Sequence, residues 1–226
     1  MKVFDSPSKL AVMLSLNPEP SYNVAVGLKT IEIRKTKPLL KPPFKVYVYS
    51  TIASHRTDFA LAFYEGKYQK TFRCYYDYIE TELNGTILSG KVIGEFICTQ
   101  IDTLEIRHFT VFGHENVYTP ITPNPDYSWL QNACLGYSEV ASYGKGSPLY
   151  AWHISDLVVY DKPKHIFNYL KPCIDKYGYC QGCKHGHIIY PSWVETREDL
   201  ELCVFDEECT NYLTKAPQSW CYVQEV

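Results

Sequence analysis

The chain has 226 residues with 22 basic and 25 acidic side chains, which gives a formal net charge of −3. Its hydrophobic fraction of 46% is ordinary for a globular protein, and the length fits one elaborated domain. No apolar run approaches the roughly 18 residues that a membrane span needs. Met1–Pro7 also lacks the apolar stretch of a secretory signal. These features predict a cytoplasmic protein with no membrane partner.

The first elements are set by prolines and a glycine. Residues 10–14 form an apolar run that fits either a helix or a strand. Pro18 and Pro20 then precede a predicted short helix that ends near Val26. Gly27 follows as its C-terminal stop, because glycine adopts the left-handed backbone that ends many helices.

Two strands are predicted next, over residues 30–34 and 45–51, and their alternating patterns suggest that they pair with each other. The linker 35–43 holds three prolines and must be extended or turning. Basic residues concentrate here, which suits a phosphate backbone, although a solvated loop is the alternative. They are Lys29, Arg34, Lys35, Lys37, Lys41 and Lys45, against the single acid Glu32.

Residues 53–89 are rich in aromatic side chains and are predicted to be an insertion that packs on the main sheet. Large aromatic residues are usually buried, so a core role is favoured over a partner surface. The aromatic residues are Phe59, Phe63, Tyr64, Tyr68, Phe72, Tyr75, Tyr76 and Tyr78.

The second half alternates strands with irregular segments. A strand is predicted over 91–98, and a proline-containing loop over 113–128. Residues 137–143 fit a short helix capped by a hydroxyl or amide side chain, and a strand surrounds Trp152.

The most informative segment is Gly27-Leu28-Lys29-Thr30-Ile31-Glu32-Ile33-Arg34. In a strand, Glu32 and Arg34 share one face, while Ile31 and Ile33 point into a core. Lys29 joins the charged pair only if it lies in the turn before the strand, where Gly27 permits unusual backbone angles. The segment therefore predicts a carboxylate held between two cations, which folding alone is not expected to require.

The spacing Gly-x-Lys-x-x-Glu-x-Arg resembles the signature of the ASCH family, a branch of the PUA-like β-barrels. The segments 42–49 and 90–96 resemble early and central strands of that family, and 150–154 and 217–223 resemble the closing strands of its larger phage or prophage members. The resemblance implies a mixed α/β (α+β) fold: a PUA-like β-barrel with flanking helices and a Cys-rich insertion. It implies one domain over 1–226, with insertions at about 53–89 and 107–132.

The resemblance implies binding of RNA or a modified nucleotide in a basic cleft at the signature, with single-stranded DNA as a further partner. The binding residues would be Lys29, Glu32, Arg34, Lys35, Trp152, Gln218, Ser219 and Trp220, with core packing and turn capping as the alternative for the last four.

Two alternatives stay open. The first is a hydrolase acting on RNA or a modified nucleoside, with Lys29 and Glu32 as its catalytic residues. Glu32 stands where an amidohydrolase of this family has its threonine nucleophile, which argues against the same reaction. The second is a phage factor that binds a protein partner through the insertions.

Five of the nine cysteines fall within residues 173–209. Cys180 and Cys183 form a Cys-x-x-Cys knuckle, and two thiolates at this spacing can hold one tetrahedral zinc. Disulfides are not expected in a reducing compartment. The predicted ligands of this structural zinc are Cys173, Cys180, Cys183 and Cys209, with Cys203, His185 and His187 as less favoured candidates and free thiols as the alternative. The other cysteines, Cys74, Cys98, Cys134 and Cys221, are expected to be buried and inert.

Protein purified without added zinc should contain about one equivalent of the metal, because a closed tetrahedral site holds one ion. Elemental analysis measures this directly. Metal near zero together with fully reactive thiols would show that the knuckle is not a zinc site.

Overall fold

The computed structural model describes residues 10–52, 55, 57–111, 115–121, 128–171 and 212–225, with 108–111 and 115–121 described by their backbone alone. Its strands are β1 Leu10–Leu16, β2 Ile31–Arg34, β3 Phe44–Ser50, β4 Phe59–Tyr64, β5 Lys67–Phe72, β6 Thr86–Ile87, β7 Lys91–Val111, β8 Glu115–Ile121, β9 Leu149–Lys164 and β10 Trp220–Gln224. Its helices are α1 Pro18–Ala25, α2 Tyr76–Thr81, α3 Ser128–Ala133 and α4 Tyr137–Gly144, with single 3₁₀ turns at Arg73–Tyr75 and Ile166–Asn168.

A large sheet dominates the described chain, in the order β10-β1-β3-β7-β9-β2, with β8 paired to the far part of β7. Strands β1 and β3 run parallel, while the other pairs of this path are antiparallel. The predicted α+β class is confirmed, since helices pack against a mixed sheet.

The predicted barrel is not closed by backbone pairing within the described residues. Strands β10 and β2 stand at opposite ends of the strand order and do not pair with each other. The Arg34 side chain of β2 nevertheless reaches Ser15 in β1 and Ser219 just before β10. The two ends of the sheet therefore approach each other and are joined by side-chain hydrogen bonds.

The predicted pairing of residues 30–34 with 45–51 is wrong. Strand β2 pairs with β9, whereas β3 lies between β1 and β7. Alternation reports which face of a strand is buried and carries no information on its neighbour, so two amphipathic strands close in sequence can belong to distant parts of a sheet.

The main core packs against one face of the large sheet. Its buried side chains come from alternate positions of β1 and β3, as period two requires, while an irregular register in β7 separates Ile93 from Phe96 by three residues. They are Val12, Leu14, Leu16, Phe44, Val46, Val48, Ile93, Phe96, Cys98 and Trp152, with Val24 from α1 and Leu61 and Leu88 from the insertion. A separate cluster behind β2 contains Ile31 and Ile33, which confirms their predicted inward orientation.

Two of the predicted helices are present. Helix α1 ends at Ala25 and is followed by Gly27 at φ +75°, as predicted. Helix α4 covers the predicted 137–143, but its cap differs from the expected hydroxyl or amide. The carboxylate of Glu139 accepts a hydrogen bond of 2.6 Å from the Gly136 backbone N–H.

The predicted loop over 113–128 contains a strand instead. Strand β8 pairs antiparallel with β7, and Pro120 stands opposite Ile106 in that register. Among the described strands β8 pairs on one side only, which is the edge position where a sheet tolerates proline.

Residues 59–87 form a small sheet of their own, in the order β5-β4-β6, with α2 against it. Leu61 is buried against the main core, while Ala62, Ile79 and Ile87 form a separate cluster. The expectation that the aromatic residues are core residues is wrong for Phe59, Phe63, Phe72, Tyr75 and Tyr78, which are exposed. Small aliphatic residues fill the interior here, so the larger rings are left at the surface.

A polar network ties β3, β7 and β9 together on the other side of the large sheet. Tyr160 donates a 2.5 Å hydrogen bond to Glu95, which also pairs with Lys45 at 3.1 Å. Burial alone would raise the pKa of Glu95, but the hydrogen bonds from Tyr160 and Lys45 outweigh it and hold the pKa below its usual value. Glu95 is therefore an ionised anchor between the three strands.

The expectation of buried, inert cysteines holds for Cys98, where burial raises the pKa of the thiol to about 12. Cys221 is half-buried, and burial raises its pKa to about 11. Cys74 is exposed, contrary to the expectation.

Gly94 marks the closest approach of β7 to β9. A Cβ atom there would lie 2.4 Å from the carbonyl oxygen of Val158, a backbone atom that cannot move aside without disturbing the strand. Gly94→Ala should therefore lower the free energy of unfolding by about 2 kcal/mol in a denaturant titration. Thr99→Ala, at an exposed position of the same strand, should change it by less than about 0.5 kcal/mol. Equal stability of the two variants would contradict the close approach.

Candidate nucleic-acid interface

The signature residues form an ion cluster, with Glu32 between two cations as predicted. One carboxylate oxygen, Oε2, lies 3.1 Å from Lys29 Nζ, and the other, Oε1, lies 2.8 Å from Arg34 Nε. Both oxygens of Glu32 are therefore held by a positive charge. We call Lys29, Glu32 and Arg34 the ion cluster.

The turn before β2 places Lys29 as the sequence predicts. Gly27 takes a positive φ, and the backbone N–H groups of Leu28 and Lys29 both donate to the Asn23 carbonyl at 2.9 Å. From this turn the Lys29 ammonium donates a 2.5 Å hydrogen bond to the carbonyl of Ala133, the last residue of α3. The ion cluster thus anchors the end of that helix.

Arg34 extends the cluster in the opposite direction. Its Nη2 donates to the Ser15 carbonyl at 2.6 Å, and its Nη1 donates to the Ser219 hydroxyl at 3.3 Å. Because Ser15 belongs to β1 and Ser219 precedes β10, one guanidinium links three segments that are distant in sequence. Predicted binding residue Ser219 therefore holds Arg34 in place.

The ion cluster is buried. The exposed fractions of the side chains are 4% for Lys29, 7% for Glu32 and 11% for Arg34. These charges contact one another and the backbone, so they do not form the open basic cleft that the sequence predicts. They also join β2 to α3, β1 and the start of β10, so we expect them to support the fold as well.

An exposed surface lies directly beyond the ion cluster, where the chain leaves β2. The Lys35 ammonium lies 4.8 Å from the centre of the Tyr143 ring, and the Lys37 ammonium lies 5.1 Å from that of Tyr150. Between them, the Thr36 hydroxyl accepts a 2.9 Å hydrogen bond from the indole N–H of Trp220. We call this surface the basic–aromatic face: Lys35, Lys37, Tyr143, Tyr150 and Trp220.

The remaining predicted site residues divide between core and surface. Trp152 is completely buried, with its ring 6.1 Å from Phe44 and 6.0 Å from Trp220, so it offers no exposed face for stacking a base. The core-packing alternative applies to it, because its inward position on β9 faces the main core. Trp220 is half-buried, and Gln218 is exposed.

Sequence reasoning missed Tyr143 and Tyr150 as site residues. Tyr150 stands opposite Arg34 in the β2–β9 register, and Tyr143 is near the end of α4. The basic stretch after Arg34 was visible in the sequence, but the rings beneath it come from elements more than a hundred residues away. The β2–β9 pairing places Tyr150 beside the basic stretch, and the packing of α4 places Tyr143 there.

The predicted zinc ligands Cys173, Cys180, Cys183 and Cys209 lie outside the described residues, as do His185, His187 and Cys203. Within the part of the chain that is described, no group of three or more histidine, cysteine or acidic side chains is placed to hold a metal ion.

None of the helices in the described ranges is both long enough and apolar enough to cross a membrane.

Comparisons with known proteins give a structural match only. No family model and no curated protein matches the chain. Two similar solved structures are an ASCH protein from Zymomonas mobilis and a tyrosine-to-phenylalanine mutant of it. Each is 16% identical over 69% of this chain with a TM-score of 0.41, and the alignments cover 73% and 76% of the two structures. Both carry the name of the family that the signature resembles. A TM-score of this size carries no argument about function, so the proposal below is argued from the side chains of this chain.

Removing the Lys29 charge should destabilise the fold, because it leaves a buried carboxylate with one cation in place of two. Lys29→Met should lower the free energy of unfolding by about 3 kcal/mol, measured by chemical denaturation. Lys35→Met removes the same charge at an exposed position and should change it by less than about 0.5 kcal/mol. If the two variants are equally stable, the ion cluster does not support the fold.

Proposed function

We propose that this chain is an ASCH-type protein that binds RNA or a modified nucleotide on the basic–aromatic face, with the ion cluster as its rigid support. The observation that carries the proposal is that two exposed lysines, Lys35 and Lys37, lie beside the aromatic rings of Tyr143 and Tyr150. Lysine charge attracts a phosphate backbone, and aromatic rings stack on bases, so the two together suit a single-stranded nucleic acid.

The lysines of this face are available to an anion. Lys35 and Lys37 are exposed, and each lies over a ring with no carboxylate partner among the described contacts. A phosphate approaching from solvent can therefore meet both ammonium groups without breaking an ion pair.

The rings supply the second half of the recognition. Tyr143 keeps 38% of its surface exposed, and Tyr150 and Trp220 are half-buried. A half-buried ring is held in place by its neighbours yet still offers an edge or face to a base. Every base has a π-face, so stacking of this kind does not by itself choose a sequence.

The ion cluster supports the face without contacting the ligand. Arg34 is fixed by Glu32, Ser15 and Ser219, and Lys35 to Lys37 follow it directly in the chain. The hydrogen bond from Trp220 to Thr36 fixes the same segment from the other side. Because this segment is already ordered, the protein loses less conformational entropy when a ligand binds.

This arrangement does not support the hydrolase alternative. A general base must reach the proton that it removes, whereas Glu32 is buried with each of its oxygens beside a cation. The zinc knuckle, the phage or prophage origin and the cytoplasmic location remain predictions.

Binding to pools of single-stranded RNA and DNA, titrated with salt, tests the proposal. The double variant Lys35→Ala/Lys37→Ala should weaken binding and reduce the slope of log affinity against log salt by about 1.4, since each lost phosphate contact accounts for about 0.7. Lys162→Ala/Lys215→Ala removes the same charge from exposed positions elsewhere and should leave the slope unchanged.

The stacking half of the proposal has its own pair of variants on α4. Tyr143→Ala should lower affinity about tenfold with little change in the salt slope, because it removes stacking and no charge. Tyr137→Ala alters an equally exposed tyrosine on the same helix and should bind as the wild type does. Wild-type affinity in all four variants, or no binding of either pool at low salt, would overturn the proposal.

A further inference from the structure

The insertion carries a continuous strip of exposed aromatic rings that the proposed function does not use. Phe59 of β4 and Phe72 of β5 stand opposite each other, with ring centres 5.1 Å apart in a stacked arrangement. Tyr75 lies 6.5 Å from Phe72, and Tyr78 follows it by three residues, on the same side of the helical turns. We call Phe59, Phe72, Tyr75 and Tyr78 the aromatic strip.

The strip is far more exposed than its residue types predict. The exposed fractions are 48% for Phe59, 38% for Phe72, 53% for Tyr75 and 54% for Tyr78. Single exposed hydrophobic residues are normal, but a contiguous group of large rings marks an interaction surface.

Stability of the insertion does not account for the strip. Leu61 and Ala62 of β4 are fully buried on opposite faces of the small sheet, and Ile79 buries α2 against it. These side chains already supply the local core. About half of the surface of these rings remains in solvent, and that exposed part adds nothing to folding.

The charges beside the strip indicate which class of partner it would bind. Asp77, Glu80 and Glu82 are exposed on and just after α2, whereas the bases beside the rings are Arg73 and Lys70, of which Lys70 is paired with Glu19 at 2.7 Å. A phosphate backbone would be repelled by this excess of acids. A polypeptide with apolar side chains and neighbouring lysines or arginines complements both features.

We propose that the aromatic strip is a docking site for a protein partner, specifically a segment with apolar anchors flanked by basic residues. Aromatic residues are enriched at the centre of protein interfaces, and they dominate the binding energy when neighbouring contacts exclude water. The acids of α2 form the rim, where they favour basic partners and speed encounter. This site lies on the small sheet and is separate from the basic–aromatic face.

Panning a library of random twelve-residue peptides against the full chain tests the proposal. Enriched peptides should combine aromatic or aliphatic residues with lysine or arginine. Tyr75→Ser/Tyr78→Ser should weaken an enriched peptide by at least about tenfold, because it removes two anchors. Both residues are more than half exposed, so this change should leave the thermal midpoint unaltered.

Charge reversal provides an independent variant. Asp77→Lys/Glu80→Lys keeps all four rings and should weaken the same peptide, with the loss disappearing at high salt. A second comparison separates the two proposals. Lys35→Ala/Lys37→Ala should weaken nucleic-acid binding and should bind the peptide as the wild type does.

Three outcomes would overturn the docking site. The first is that no peptide is enriched, or that enriched peptides bind the serine variant equally well. The second is self-association, seen as a concentration-dependent mass in sedimentation that the serine variant abolishes, because the occupant would then be a second copy of the chain. The third is binding of an RNA pool that depends on Tyr75 and Tyr78.

Discussion

The architecture depends on one buried carboxylate. Glu32 pairs with both Lys29 and Arg34, and these cations in turn reach the end of α3 and the edge of β1. Burying any one of the three charges alone would cost several kcal/mol, whereas the set satisfies itself and the backbone carbonyls around it. Glu32 is therefore fixed by both cations, and each cation by Glu32 and a backbone carbonyl, which also fixes the strand that carries them.

The ion cluster also explains how the two ends of the large sheet are held together although their strands do not pair. Backbone pairing does not join β10 to β2 in the described chain, but the Arg34 guanidinium bridges the ends through Ser15 and Ser219. The segment that follows Arg34 is consequently held against Trp220, Tyr143 and Tyr150. In the proposed function, the exposed lysines are held in place by the ion cluster that precedes them.

Sequence patterns located the charged triad and its inward isoleucines because a strand's alternation and a glycine turn are local properties. They failed for the pairing of residues 30–34 with 45–51, since register and neighbours are decided by the whole sheet. They also failed for the aromatic residues of 53–89. Residue type predicted that these rings are buried, but Leu61, Ala62 and Ile79 occupy the interior instead.

The sequence by itself determined the ion cluster and the basic stretch after it, because these follow from spacing and charge, and the α+β class followed from the resemblance of the signature to a known family. Only the tertiary structure decided which charges are buried and which are exposed to solvent. It showed that Trp152 packs inside, that Lys35 and Lys37 lie over tyrosines from β9 and α4, and that the rings of the insertion face solvent. Burial is a property of the assembled core, so it depends on contacts between segments that no local pattern records.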